Sequence, residues 1–205
     1  MKRQIIVSVG REHGSGGHYI AQLLAEKLHL RIYDKEIVEM MTQTGGYSRE
    51  IIAEMDEKPI NFFTSRKVKD YSNSLERIVA ERTFDFIRSH AESGESFVVV
   101  GRCSDYILRD NPYLLRVFIR GDKQDKIRRV MRQTHVSESE AGDIIKDIDR
   151  KRKAYHNYYC DIKWGDSRGY DVIFNSSKLG VEKTAEGLIH YVRVFMNQED
   201  NETQA

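Results

Sequence analysis

The chain is poor in the features that mark several protein classes. It has two cysteines, Cys103 and Cys160, far apart in 205 residues. Two thiols are too few for a disulfide scaffold or a cysteine-rich zinc set. It also lacks charge of one sign. Lys and Arg total 33 against 32 Asp and Glu, a formal net charge of +1, which argues against a general polyanion-binding surface. Long apolar runs are missing: "MKRQIIVSVG" turns to glycine and charge too soon for a signal peptide or a membrane span. The expected setting is the reducing cytoplasm, with no membrane partner. No internal repeat or low-complexity segment appears, and the tail 198–205 is too polar to join a core.

What is present is the alternation of an α/β domain. Near-continuous Val- and Ile-rich runs at Gln4–Val9, Phe97–Val100, Leu114–Ile119 and Asp171–Phe174, with a weaker one at Leu30–Tyr33, suit parallel strands covered on both faces. Helical patterns fall between them, at Tyr19–Leu28, Lys35–Met41, Ser48–Met55, Ser74–Ser93, Lys123–Gln133, Ser139–Tyr155 and Val181–Phe195. Strands alternating with helices predict a doubly wound, three-layer α/β fold on a parallel five-stranded sheet. Pro59 and "KPINFFTSRKVKDYSN" interrupt the pattern as an exposed connection.

The first strand leads into "REHGSGGHY". Gly14, Gly16 and Gly17 allow a tight turn and a close backbone approach. The helix that follows aims its free N–H groups and positive dipole end at that turn, which suits phosphate. Ser15 keeps a hydroxyl in the loop, and His18 at the helix start is a phosphate hydrogen-bond donor. The usual loop, G-x-x-x-x-G-K-[ST], carries a lysine for the β- and γ-phosphates and a hydroxyl for Mg²⁺. Here Gly17 stands in the lysine position, Tyr19 follows His18, and Arg11 replaces the first glycine. The nearby cations are Arg11 and His13.

The chain resembles the cytidylate kinases, nucleoside-monophosphate kinases of the P-loop superfamily, and most closely the cytidylate kinase-like proteins. The resemblance is carried by "GSGGHYIAQLLAEKL", "VVVGRCSDYIL", "LLRVFIRGDKQDKIRRVMRQ", "IKDIDRKRKAYHNYY" and "YDVIFNSSKLGVEKTAEGLI", and covers nearly the whole chain. It implies a single P-loop kinase-type domain over 1–197, with an acceptor-binding segment at about 34–93 and a helical lid at about 134–168. By the same resemblance Gly14, Ser15, Gly16, Gly17 and His18 hold the donor phosphates, Asp34 lies near the acceptor and Arg102 contacts it. Arg128, Arg129 and Arg132 lie where these kinases place phosphate-binding arginines, and Asp149 and Arg152 match the lid. ATP, or another nucleoside triphosphate, and Mg²⁺ are the implied cofactors. Val100 stands where the relatives carry a strand-end Asp, so the metal ligands are displaced; Glu12 and Asp105 are the candidates.

Residue types alone give a partly independent reading. Arg102 follows a buried strand and a glycine, the end of an open α/β sheet where ligands bind; an ion pair with Asp105 is the alternative. Arg128 and Arg132, four apart, share a helix face, leaving Arg129 solvated or paired with Asp125. Asp149 and Arg152 form either a surface pair or, with Tyr155 and Tyr159, a cover over a nucleotide. Trp164 caps an adenine ring or packs the lid base, and Cys103 reads as an inert buried thiol, although a helix start would lower its pKa.

The leading expectation is an ATP-using phosphotransferase acting on a nucleotide or small metabolite, with Arg11 or Arg152 standing in for the loop lysine. The alternatives are a non-catalytic nucleotide or phosphometabolite sensor and, more weakly, a nucleic-acid binder using the basic helices within Lys123–Lys153. A second copy of the chain is an admissible partner.

Overall fold

A computed structural model describes residues 3–34 and 75–197 of the chain. The expected helices at Lys35–Met41 and Ser48–Met55, the Pro59 connection and most of the expected acceptor segment lie outside the described residues.

The strands are β1 (Ile6–Arg11), β2 (Arg31–Tyr33), β3 (Phe97–Val100), β4 (Leu114–Arg120) and β5 (Val172–Asn175). They form one parallel sheet in the order β2-β3-β1-β4-β5. The helices are α1 (Gly17–Leu28), α2 (Leu75–Glu92), α3 (Ser104–Ile107), α4 (Lys123–Thr134), α5 (Glu138–Tyr159), α6 (Ser176–Leu179) and α7 (Val181–Met196).

The side-chain period of two explains the layers. Ile5, Val7 and Val9 face α1 and α7, packing with Leu24, Leu188 and Val192. Ile6 faces the other way, packing with Phe97, Val99, Ile87 and Val79 under α2. Covered on both faces, these strands read as unbroken apolar runs, and the doubly wound α/β fold is the one observed.

Several boundaries differ from the sequence reading. The first strand runs Ile6–Arg11, not Gln4–Val9, because its ladder with β4 continues through Gly10 opposite Phe118 and Arg11 opposite Ile119. Arg11 is therefore the last strand residue and is buried, not a loop residue. The helix expected at Ser139–Tyr155 runs Glu138–Tyr159, opened by a capping box in which Ser137 and Glu140 satisfy each other's backbone. The short α3 and α6 had no periodic signature.

Candidate active site

All the carboxyl ends of the strands point to one side, and β1 lies at the switch point where chain order reverses, the place where open α/β sheets bind ligands. From β1 the chain enters the loop 12–16. Ser15 Oγ donates to the Glu12 carbonyl at 2.8 Å and accepts from Gly17 N–H at 3.2 Å. Gly14 and Gly16 adopt left-handed φ of 76° and 80°. Helix α1 then starts with no acidic residue in its first turn and no side-chain cap, in contrast to the full box on α5. Its leading N–H groups suit an anion from outside the chain.

The missing lysine has a steric cause. A Cβ at Gly17 would lie 2.6 Å from Arg11 Cβ and 3.1 Å from Ile119 Cβ. Gly17→Lys is therefore expected to lower unfolding free energy by about 1–3 kcal/mol, measurable by urea unfolding; an unchanged midpoint would contradict this packing.

A lysine does reach the loop from elsewhere. Lys126 on α4, only 9% exposed, places Nζ 2.9 Å from Glu12 Oε2 and 3.6 Å from Asp149 Oδ2. Glu12 Oε2 also accepts from Gly121 N–H at 3.1 Å, and Asp149 Oδ1 accepts from His13 N–H at 2.6 Å. Arg152 Nη1 donates to the Arg11 carbonyl at 3.3 Å. Helix α5 is thus tied to the loop through Asp149 and Arg152, neighbours one turn apart. Burial, then the positive charges of Arg152, Arg11 and Lys126, push the His13 imidazole down to about 4. His13 is neutral at pH 7 and sits in a field made by three cations from β1, α4 and α5. Burial raises the Asp149 carboxyl above the usual carboxylate range, against the pull of the His13 amide, Lys126 and Arg152.

On α4 the arginines differ from the sequence reading. Ile127 and Val130 are buried, so the inward face carries 126, 127 and 130, and Arg129 lies beside it. Arg129, expected to be solvated or on Asp125, donates from Nη1 to the Gly14 carbonyl. Arg128, 64% exposed, pairs with Asp125 instead, and exposed Arg132 donates to the Arg128 carbonyl at 3.3 Å. The structure does not bring Arg128 and Arg132 into the site.

Beyond β3 the chain makes a costly turn. Gly101, Arg102 and Cys103 take φ of 73°, 60° and 55° in succession, a region that residues with a Cβ occupy at a cost of about 1–2 kcal/mol each. Ser104 holds it there, donating from Oγ to the Gly101 carbonyl at 2.7 Å and meeting Ser8 Oγ at 2.6 Å. The result is that Arg102, 4% exposed, aims across the sheet end to Asp34, with Nη2 3.5 Å from Oδ1. The alternative pairing with Asp105 is not formed. His18 Nδ1 approaches Asp34 Oδ2 at 3.1 Å. Burial opposes ionisation of Asp34, but the His18 hydrogen bond and the charges of Arg102 and Arg11 outweigh it and hold its carboxyl below the usual range.

Asp105 is engaged by His156, with Oδ2 2.8 Å from Nε2. His156, on the α5 face of Asp149 and Arg152, was not singled out from sequence; the i, i+3, i+7 spacing of 149, 152 and 156 is the signal that could have found it. Burial disfavours the imidazolium, yet the Asp105 hydrogen bond and the neighbouring Cys160 raise it to about 10. Gly10, Arg11, Arg102, Arg152, His156 and Trp164 line a narrow cleft together with Gly101, Cys103, Asp105, Tyr155 and Tyr170. Trp164 packs edge-on to Phe118 at 5.2 Å while forming part of that wall.

The family model described as the cytidylate kinase-like family matches residues 6–178. The chain belongs to the cytidylate kinase-like family. A solved structure of an uncharacterized protein from Eubacterium ventriosum is 38% identical, with a TM-score of 0.70, covering 93% of this chain and 99% of that one. Shikimate kinase from Bacteroides thetaiotaomicron is 16% identical at a TM-score of 0.55, over 92% of this chain and 98% of that one. Shikimate kinase from Acinetobacter baumannii, solved with shikimate, is 10% identical at 0.55, over 96% and 97%. The last two show a shared fold. A search of curated proteins gives no match. This cytidylate kinase-like chain has no helix among its described residues long and apolar enough to cross a membrane.

Proposed function

We propose that the protein is an ATP-dependent phosphotransferase whose acceptor is a nucleotide or small metabolite. The observation that carries this reading is the convergence of Arg11, Lys126 and Arg152, from three separate elements, on the glycine loop around His13. Phosphoryl transfer needs in-line positioning and neutralisation of charge on the moving group, with little covalent chemistry from the protein. The loop Gly14–His18 and the uncapped start of α1 fit the donor phosphates. Lys126 supplies the ammonium that Gly17 cannot, entering from α4. Arg11 and Arg152 sit between loop and cleft, where charge passes during transfer. Arg102 and the His156 imidazolium face the acceptor, with Asp34 and Asp105 orienting them. Helix α5, fastened to the loop through Asp149, serves as the lid.

The residues do not fit Mg²⁺ as they stand. Glu12 is engaged by Lys126 and Gly121, Asp105 by His156, and no group of three or more His, Cys, Asp or Glu is placed to hold a metal among the described residues.

The reading is tested by ATP turnover with Mg²⁺ present, against a panel of nucleoside monophosphates and small anionic metabolites. Turnover on at least one acceptor is expected, and Gly16→Asp should abolish ATP binding. At that position a Cβ would lie 2.7 Å from Val181 Cγ2, on a left-handed backbone, and a carboxylate would face the phosphates. Tight ATP binding without turnover on any acceptor would replace the kinase by a sensor.

A further inference from the structure

The base of the cleft carries two thiols that phosphoryl transfer does not use. Cys103 precedes α3 at the end of β3, and Cys160 caps α5 at its carboxyl end. The two pack in one buried cluster with Ala80, Phe84 and Tyr155. Neither is in a disulfide. Cys103 lines the cleft, and Cys160 lies against it from the α5 side.

A carboxylate and an imidazole complete the arrangement. Asp105 holds His156 Nε2 at 2.8 Å. The buried Nδ1 has no hydrogen-bond partner, and Cys160 follows one helical turn on, its N–H donating to the His156 carbonyl at 2.9 Å. Asp105, His156, Cys160 and Cys103 thus gather a carboxylate, an imidazole and two thiols at the base of the cleft. The neighbouring Cys103 thiol, working against burial and helped by His156, pulls the Cys160 thiol down to about 7. A thiolate beside an imidazolium is the reactive form of cysteine.

We propose that Cys103 and Cys160 are a dithiol site that a peroxide-class oxidant converts into a disulfide, fastening α5 to the Gly101–Cys103 turn. The peroxide enters by the cleft and meets Cys103. The Cys103 sulfur attacks one peroxide oxygen, its proton passes to the departing hydroxide as the O–O bond breaks, and the products are a sulfenic acid and water. The Cys160 thiolate then attacks the sulfenic sulfur. The S–S bond forms, the S–O bond breaks, and the departing hydroxide takes the His156 imidazolium proton to leave as a second water. Both thiols are oxidised, and one peroxide is reduced to two waters. The cross-link ties the end of α5 to the Gly101–Cys103 turn, so the oxidised protein is held in the arrangement observed. It forms whether or not the protein is a phosphotransferase, because the proposal rests on these four side chains alone.

The test is peptide mapping of the full chain after treatment with excess hydrogen peroxide, alkylation and digestion without reductant. A monomer lighter by two hydrogens is expected, with a linked Cys103–Cys160 peptide that dithiothreitol separates and a melting temperature raised by about 5 °C or more. His156→Gln should give the same cross-link about tenfold more slowly. Sulfinic or sulfonic acid on either cysteine without the linked peptide, or disulfides between chains, would overturn the site. An unchanged rate in His156→Gln would remove the imidazole from the mechanism, and wild-type mapping decides the cross-link itself even if that variant fails to fold.

Discussion

Arg102→Lys is expected to lower kcat/KM for phosphoryl transfer by about 10²-fold, and Arg102→Ala by about 10³-fold. The protein holds Arg102 in a left-handed conformation after Gly101, a cost of about 1–2 kcal/mol. What it obtains is a buried guanidinium spanning from the end of β3 to Asp34, with Nη1 donating to the Val100 carbonyl at 3.3 Å and Nη2 to the Asp34 carbonyl at 3.4 Å. Lysine keeps the charge but loses the planar fork that makes these contacts together. Alanine removes both, and leaves Asp34 buried with His18 and Arg11 as its remaining named partners. The Asp34 carboxyl is held below its usual range in the folded protein. Its contribution is therefore present above its unfolded value of about 3.9 and is lost as pH falls. Arg102→Ala should narrow that gap, so the variant loses stability at neutral pH and shows a shallower acid limb. Steady-state kinetics and thermal unfolding at pH 3–7 separate the two effects. Wild-type kcat/KM in Arg102→Ala would remove Arg102 from the site.

How much of this was readable from sequence follows from which signals are local. Strand cores such as Phe97–Val100 announce themselves because parallel strands are covered on both faces. Strand ends do not: Gly10 and Arg11 continue β1 only because β4 offers them a ladder, which no local pattern records. The glycine loop could be placed between strand and helix, and the lack of a lysine at Gly17 could be seen. That Arg11 fills the space a side chain would need at 17 could not. Lys126 was hidden because it serves the loop from another helix, distant in sequence. Yet its phase was available: Ile127 and Val130 in "KIRRVMRQ" mark the inward face of α4, which puts Lys126 inside and Arg128 out. The reading that paired Arg128 with Arg132 used spacing between arginines and left out the apolar residues that orient the helix. Pairings such as Arg102 with Asp34 and His156 with Asp105 join residues with no sequence relation, and only folding brings them together.

Folding stability under reducing conditions is expected to fall as pH rises from about 6.5 to 10, and the fall should be largely absent in His156→Gln. A group whose value is raised on folding stabilises the protein fully below its unfolded value and loses that contribution as pH climbs through its folded one. For His156 the window opens near 6.5 and closes near 10. At 6% exposure the imidazolium is poorly screened, and the effect is on the order of 3 kcal/mol once the coupling to its neighbour is discounted. Cys160 works in the opposite sense. Its thiol is lowered to about 7, so its contribution is complete above its unfolded value of about 8.5 and is lost as pH falls through 7. Between about 7 and 9 the two partly cancel, since His156 weakens while the Cys160 thiolate gains. Wild-type stability should therefore change gently to about pH 8.5 and steeply beyond it. Cys160→Ser removes the compensating limb and should start the decline near 6.5. The wild-type-minus-variant difference isolates the pair from other groups that titrate across this range. Urea unfolding at half-unit steps from pH 6 to 10 measures it. Parallel curves for wild type and His156→Gln would mean that Asp105 holds a neutral ring, and with it the cleft would lose one of its cations.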